Sequence, residues 1–159
     1  MSDSRFKRPV LDEGLGEVSS AMQRSLVDLI DLHLQAKQAH WNLRGNRFRS
    51  LHLQLDELFE TVRQAVDQVA ERITTLGVAV DGRAKEVAEA SRLDEFPEGF
   101  IHWSSIVPTI SDRLSATSRG LRQDIAVVHE FDPISEDLLI GIVAEVEEHL
   151  WMFQAQEED

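Results

Sequence analysis

The stretch FRSLHLQLDELFETVRQAVDQVAERITTL, residues 48–76, determines the fold class, because an apolar helical pattern and an ionisable pattern run through it together. Apolar side chains recur every three or four residues, which is the spacing of one face of an α-helix. They are Leu51, Leu55, Leu58, Phe59, Val62, Val66, Val69, Ile73 and Leu76. Gly77 ends the pattern. The stretch therefore predicts one long amphipathic helix from about Phe48 to Leu76.

Three more long helices are predicted around it. The same apolar spacing runs from Leu15 to about Asn42, and Gly45 suits the left-handed conformation that follows a helix end. A third helix fits from about Ser104 to His129. Asp132 and Pro133 mark the start of a fourth, since Asp is a favoured N-cap and Pro a favoured first helical residue. This fourth helix is expected to run to about residue 156.

The connection between the second and third helices is long. Residues 77–102 hold three of the eight glycines, and a short helix fits at about 83–92. No strand-like alternation, hairpin turn or internal repeat competes with the helical pattern. We therefore expect an all-α fold, a four-helix bundle with a short extra helix in the connection between helices 2 and 3. The expected divisions are a short N-terminal tail at 1–14, the bundle at 15–156 and an acidic C-terminal end at 157–159.

The composition is that of one globular domain. Hydrophobic residues make up 42% of the 159 residues and charged residues 28%. No apolar run is long enough for a transmembrane helix, and the first eight residues lack the apolar core of a signal peptide. The absence of cysteine excludes disulfides, thiol catalysis and thiolate zinc sites. We therefore expect a cytoplasmic protein with no membrane partner.

The charge is strongly acidic, with 16 basic residues against 29 acidic ones and a net charge of −13. No Lys or Arg follows Arg122, while acidic residues continue to Asp159. Such a surface repels phosphate backbones and attracts cations. A solubilising acidic face is one interpretation, and a surface that guides cations to a metal site is the other.

Four ionisable residues share one stripe of the second helix: His52, Asp56, Asp67 and Glu71. At about 100° per residue they span roughly a quarter of the helix circumference. His40 lies near the end of the preceding helix, and an antiparallel hairpin brings it beside His52. Imidazoles with carboxylates form a ligand set suited to iron, manganese or zinc. A solvated polar stripe on a surface helix is the alternative interpretation.

The two halves of this stripe cannot meet at one metal within one helix. Asp67 lies 15 residues beyond His52, or about 22 Å along a straight helix. However, His52 and Glu71 are equidistant from a midpoint between residues 61 and 62, and so are Asp56 and Asp67. Two copies of the helix packed antiparallel about that midpoint would build two identical sites, each shared between subunits.

A site within one chain is the alternative. Di-iron carboxylate bundles carry Glu-x-x-His on two helices. No histidine of this sequence has an acidic residue three positions before it. The sequence therefore favours the shared site.

The motif around these residues resembles the signature of the Dps family, the ferritin-like miniferritins also called DNA-protection proteins of starved cells. The resemblance rests on the run from Lys37 to Asp56, KQAHWNLRGNRFRSLHLQLD, followed by Asp67-Gln-Val-Ala-Glu71-Arg72. It extends over essentially the whole chain, to the His149-Leu-Trp151 segment.

This resemblance implies a dodecameric shell with a ferroxidase centre at each two-fold interface. There Fe(II) is oxidised, by preference with hydrogen peroxide and otherwise with oxygen, and Fe(III) is stored as a mineral. One subunit would supply His40, His52 and Asp56, and its two-fold mate Asp67 and Glu71. Lys37 and Arg72 could form ion pairs behind the ligands or be solvated.

Other residues have roles implied by the resemblance. Trp41 and Trp151 would lie near the site; core packing is the role we expect for both, and quenching of stray oxidants is the alternative. The start of the fourth helix would line a three-fold iron-uptake pore, with Asp132, Glu136 and, best matched, Asp137. Glu57 and Glu60 could nucleate mineral or simply be solvated.

The rival function is compaction of the nucleoid, with iron chemistry secondary. DNA binding in this family usually needs a mobile, Lys-rich tail. The segment before Pro9 holds only Arg5, Lys7 and Arg8, and the chain ends in acidic residues. We therefore expect DNA binding to be weak or absent.

Overall fold

The computed structural model describes Lys7 and residues 12–157. Most of the predicted N-terminal tail, with Arg5 and Arg8, and the last two residues of the acidic end lie outside the described residues. Within the described part, no helix combines the length and the apolar character that a bilayer crossing requires.

Four long helices and one short helix make up the structure. Their bounds are α1 (Leu15–Asn42), α2 (Phe48–Thr75), α3 (Ala84–Ala90), α4 (Trp103–Val128) and α5 (Pro133–Gln154). Helix α1 packs against α2 and α4, and α5 packs against α4 and α2, so the four long helices close into a bundle. Helix α3 packs on α1. The predicted all-α, ferritin-like fold with an extra short helix is confirmed.

The α2 pattern produces the expected division between core and surface. Its predicted apolar face is buried, apart from Phe59 and Val66, which are half-buried against the core. Each fully buried leucine contributes about 1.5–3 kcal/mol relative to an exposed one. The face opposite the core carries Asp67 and Glu71, which are exposed.

A two-residue parallel strand pair contradicts the expectation of no strands. Strand β1 (Leu43–Arg44), in the α1–α2 turn, pairs with β2 (Ile101–His102), at the end of the long connection. Two residues are too few to show a period-2 alternation, and the partners are far apart in sequence. Gly45 follows β1 with φ 116°, and a Cβ there would lie 2.6 Å from Trp103. Only glycine fits this turn without strain.

A buried ion cluster holds the long connection against the bundle. Arg92 lies 2.7 Å from Asp28 on α1 and 2.7 Å from Asp124 on α4, and both carboxylates are 1% exposed. Burial raises the pKa of Asp28, although hydrogen bonds and charge from Arg92 oppose this. Buried carboxylates are tolerated because they are paired, so the cluster fixes the position of the connection.

The two tryptophans contradict the expectation of core packing. Trp41 and Trp151 are 66% and 65% exposed. Both indole rings are therefore open to solvent or to a neighbouring molecule.

Candidate metal centre

His40 and His52 are held together by the α1–α2 hairpin, as the sequence predicts. Their rings stack with centroids 3.5 Å apart. Nδ1 of His40 lies 2.9 Å from the backbone oxygen of His52, and Nδ1 of His52 lies 3.1 Å from the backbone oxygen of His40. A carbonyl oxygen only accepts, so each Nδ1–H donates. This leaves the Nε2 lone pair of each ring free for a metal.

The His40 ring is 7% exposed. Burial is the main cause that lowers the pKa of His40, and the backbone oxygen of His52 opposes it. The ring is therefore neutral at neutral pH, which is the form that binds metals.

Asp56 lies one helical turn beyond His52. Its Oδ1 is 2.6 Å from Nζ of Lys37 and 3.4 Å from Nδ1 of His40. The hydrogen bond from Lys37 is the main cause that lowers the pKa of Asp56. The ammonium of Lys37 also lies 4.4 Å from the centroid of the Phe59 ring. Of the two cations next to ligand positions, Lys37 is the one that contacts a predicted ligand.

Arg72 has a different role. It donates to Asp132 and to Ser135, both at 2.9 Å, and so links α2 to the start of α5. It forms no ion pair with its neighbour Glu71 in the described residues. In this structure Arg72 therefore does not form an ion pair behind the predicted ligands.

Asp67 and Glu71 form the second half of the predicted ligand set. Their carboxylates are exposed on the outer face of α2 and make no hydrogen bond or ion pair within the part of the chain that the structure describes. Among the same residues, no three His, Asp or Glu side chains lie close enough together to hold a metal ion. The described residues of one chain therefore do not assemble a complete site.

The midpoint of the two ligand pairs is also the midpoint of helix α2. Helix α2 spans Phe48–Thr75, so its centre lies between Thr61 and Val62, at the midpoint of both ligand pairs. Exposed apolar side chains lie beside the ligands: Phe48, stacked 4.8 Å from His52, is 42% exposed and Leu53 is 48% exposed. These two side chains therefore leave apolar area open on the helix face that carries the ligands.

The predicted pore residues differ in their surroundings. Asp132 is 2% exposed and caps α5, accepting from the backbone N–H of Ile134 and from Ser135 and Arg72. Burial raises its pKa, but these hydrogen bonds outweigh burial and lower it overall. This geometry favours the capping role over a pore lining. Glu136 accepts from His129 at 2.8 Å, and Asp137 is exposed.

Glu57 and Glu60 are exposed on α2. With Asp56 and Glu145 they line an open concavity of about 610 Å³. Glu60 also accepts two hydrogen bonds from Arg63, at 2.6 and 2.9 Å, which lower the pKa of Glu60 to about 2. Glu60 is therefore charged at neutral pH and is already paired with Arg63.

Comparison with known proteins agrees with the fold. The ferritin-like domain family matches residues 19–159. DNA protection during starvation protein 2 of Deinococcus radiodurans is 33% identical over 143 residues, which are 90% of this chain and 59% of that protein. DNA protection during starvation protein 1 of the same organism is 32% identical over 143 residues, which are 89% of this chain and 69% of that protein.

A solved structure extends the agreement to three dimensions. Mycobacterium smegmatis Dps superposes with a TM-score of 0.92 at 28% identity, over 98% of this chain and 94% of that one. The fold thus defines a ferritin-like bundle. Within that class the chain belongs to the Dps (DNA protection during starvation) family, as its motif predicts. The chain spans about three fifths of the length of the first Deinococcus relative.

Proposed function

We propose that this protein is a ferroxidase and iron-storage miniferritin, which oxidises Fe(II) and stores Fe(III) mineral inside a dodecameric shell. The observation that carries the proposal is the arrangement of ligands on α2. Two ligand pairs lie at equal distances from the helix centre, and the described residues of one chain do not complete a site. A closed symmetric assembly supplies the missing half.

Each site would join two subunits about a two-fold axis. One subunit provides His40, His52 and Asp56. The partner subunit's Asp67 and the partner subunit's Glu71 complete the site. Antiparallel α2 helices at ordinary packing distance, about 8–10 Å between axes, place these groups opposite each other. Two carboxylates, Asp56 and the partner subunit's Asp67, then face each other, and a cation between them would relieve the repulsion of their like charges.

The residues have distinct chemical roles. The imidazoles bind Fe(II) through Nε2, and the carboxylates favour Fe(III) because they neutralise more of its charge. Each Fe(II) gives up one electron, and hydrogen peroxide takes two and becomes two hydroxide ions; oxygen is the alternative oxidant. Trp41 and Trp151, which the family resemblance places near the site, are exposed. Their indole rings are suited to quench stray one-electron oxidants.

Uptake and storage would use the acidic surface. Asp137, with Glu136 beside it, lines the iron-uptake pore, where several copies concentrate cations. Glu57 and Glu60 face the concavity of about 610 Å³ and bind the first ferric ions of the mineral. Protection of DNA follows from removal of Fe(II) and peroxide. Nucleoid compaction is the weaker alternative, because the net charge of −13 opposes phosphate binding.

A complementation experiment tests the shared site. His52→Ala and Asp67→Ala variants should each lose most ferroxidase activity, because every site contains one damaged half. When the two are unfolded, mixed and reassembled, about half of the dimers are mixed, and each has one intact site of two. Roughly a quarter of the wild-type activity should therefore return.

The control is a mixture of His52→Ala with Asp56→Ala. These lesions lie in the same half of the site, so no arrangement of subunits restores an intact site. If the first mixture recovers no more activity than this control, with reassembly verified by native mass spectrometry, the shared site is wrong.

A further inference from the structure

We infer that Glu60 and Arg63 form a four-charge cluster across the two-fold axis, and that this cluster sets the register of the two α2 helices. The inference rests on the proposed shared site, since it uses the same antiparallel pairing. It concerns residues outside the proposed ferroxidase ligand set, and it places Glu60 at the subunit interface in place of the mineral-nucleating role given to it above.

The first argument is position. Glu60 and Arg63 are equidistant from the centre of α2, as are the ligand pairs. With antiparallel helices, Glu60 lies at the same level along the helix axis as the partner subunit's Arg63. Arg63 likewise lies level with the partner subunit's Glu60. At about 1.5 Å per residue, each lies only about 2 Å from the midpoint. No other pair of opposite charges on α2 is closer to the axis.

The second argument is direction. With about 100° per residue, Glu60 and Arg63 lie about 60° apart on the helix surface, and Asp56 and Asp67 lie between them. The two charged side chains therefore point to the surface that carries the predicted ligands. They are 50% and 51% exposed on one chain, so about half of each side chain is open to a partner.

The third argument is chemistry. Glu60 and Arg63 already pair within the chain, through two hydrogen bonds of 2.6 and 2.9 Å. Two such pairs at the axis form a neutral group of two carboxylates and two guanidinium groups. Arginine has five donors, so it can serve the carboxylate of its own chain and that of the partner.

Register matters because both metal sites depend on it. A slip of one helical turn moves the partner's carboxylates by about 5.4 Å relative to the imidazoles, and both sites are lost together. Repulsion between like charges in a slipped pairing penalises that register. The central pair therefore positions ligands that lie about 8 Å (the aspartates) and about 14 Å (His52 and Glu71) from the midpoint along the helix.

Charge-swap variants test the inference. Glu60→Arg places four positive charges at the axis, and Arg63→Glu places four negative ones. Each should weaken subunit association by at least about tenfold, measured by analytical ultracentrifugation. The double variant restores neutrality and should associate like the wild type. Glu57→Arg, which changes charge equally on α2 but away from the axis, is the matched control and should leave association unchanged.

A mixture separates cross-axis pairing from pairing within a chain. In either single variant, positions 60 and 63 carry like charges and cannot pair within one chain. A Glu60→Arg subunit and an Arg63→Glu subunit nevertheless place opposite charges across the axis. Mixed particles should therefore form at near wild-type affinity while each variant alone does not. Normal assembly of both single variants overturns the inference, and so does failure of the mixture to associate.

Failure here is distinguishable from failure of the shared site. Association is measured without iron. If complementation between His52→Ala and Asp67→Ala succeeds while the charge variants assemble normally, the shared site stands and only the register role of Glu60 and Arg63 is refuted.

Discussion

Replacing Lys37 with methionine should make the metal site bind divalent cations more tightly. Nζ of Lys37 lies 2.6 Å from Oδ1 of Asp56, and a metal that uses this oxygen must first displace the ammonium. The side chains are 23% and 44% exposed, so the pair contributes about 0.5–1 kcal/mol, as partly solvated ion pairs do. Removing that competition corresponds to about two- to fivefold tighter binding. Methionine keeps an apolar stem against Phe59.

Calorimetric titration with Co(II), which is not oxidised under these conditions, measures the change on the assembled protein. Lys85→Met is the matched control, because Lys85 is exposed on α3 and pairs only weakly with Glu89, at 3.8 Å. NMR titration should also show the pKa of Asp56 rising toward its ordinary value in Lys37→Met. Unchanged or weaker Co(II) binding in Lys37→Met would refute the argument that Lys37 competes with the metal.

Three further predictions concern assembly, uptake and DNA. Native mass spectrometry should detect a particle of about 216 kDa, twelve times the 18.0 kDa chain, and a fully active monomer at micromolar concentration would contradict this. Asp137→Asn should slow Fe(II) uptake at low ionic strength without changing assembly, because each pore loses several charges; identical stopped-flow traces would exclude Asp137 from the pore. Gel retardation of DNA should be absent at about 0.15 M salt, and a stable shifted band there would favour the nucleoid function.

Local patterns predicted most of the fold, because the relevant signals are short-range. The Asp132–Pro133 pair marks the start of α5, and Asp132 does cap the helix. The α2 face predicted from apolar spacing is the buried one. The pairing of β1 with β2 was missed because it joins residues 58 positions apart through two hydrogen-bonded residues each.

The surroundings of individual side chains were harder to predict. Trp41 and Trp151 were expected in the core, since large aromatic residues are usually buried, but sequence does not distinguish a core from a surface that another chain covers. Arg72 adjoins Glu71 in sequence, yet its side chain turns to α5, which only the packing of the bundle determines. The equal spacing of ligands about residues 61 and 62 was visible in sequence, and it also applies to Glu60 and Arg63.

The paired hydrogen bonds between His40 and His52 make the two halves of the proposed site mechanically different. Each imidazole is locked to the other residue's backbone, so little conformational entropy remains to be lost there when a metal arrives. Asp67 and Glu71 have no such restraint in the described chain, and their carboxylates can change between one and two coordinating oxygens. The imidazole half would therefore fix where an iron sits. The carboxylate half would follow the contraction and the extra charge of the ion as it is oxidised.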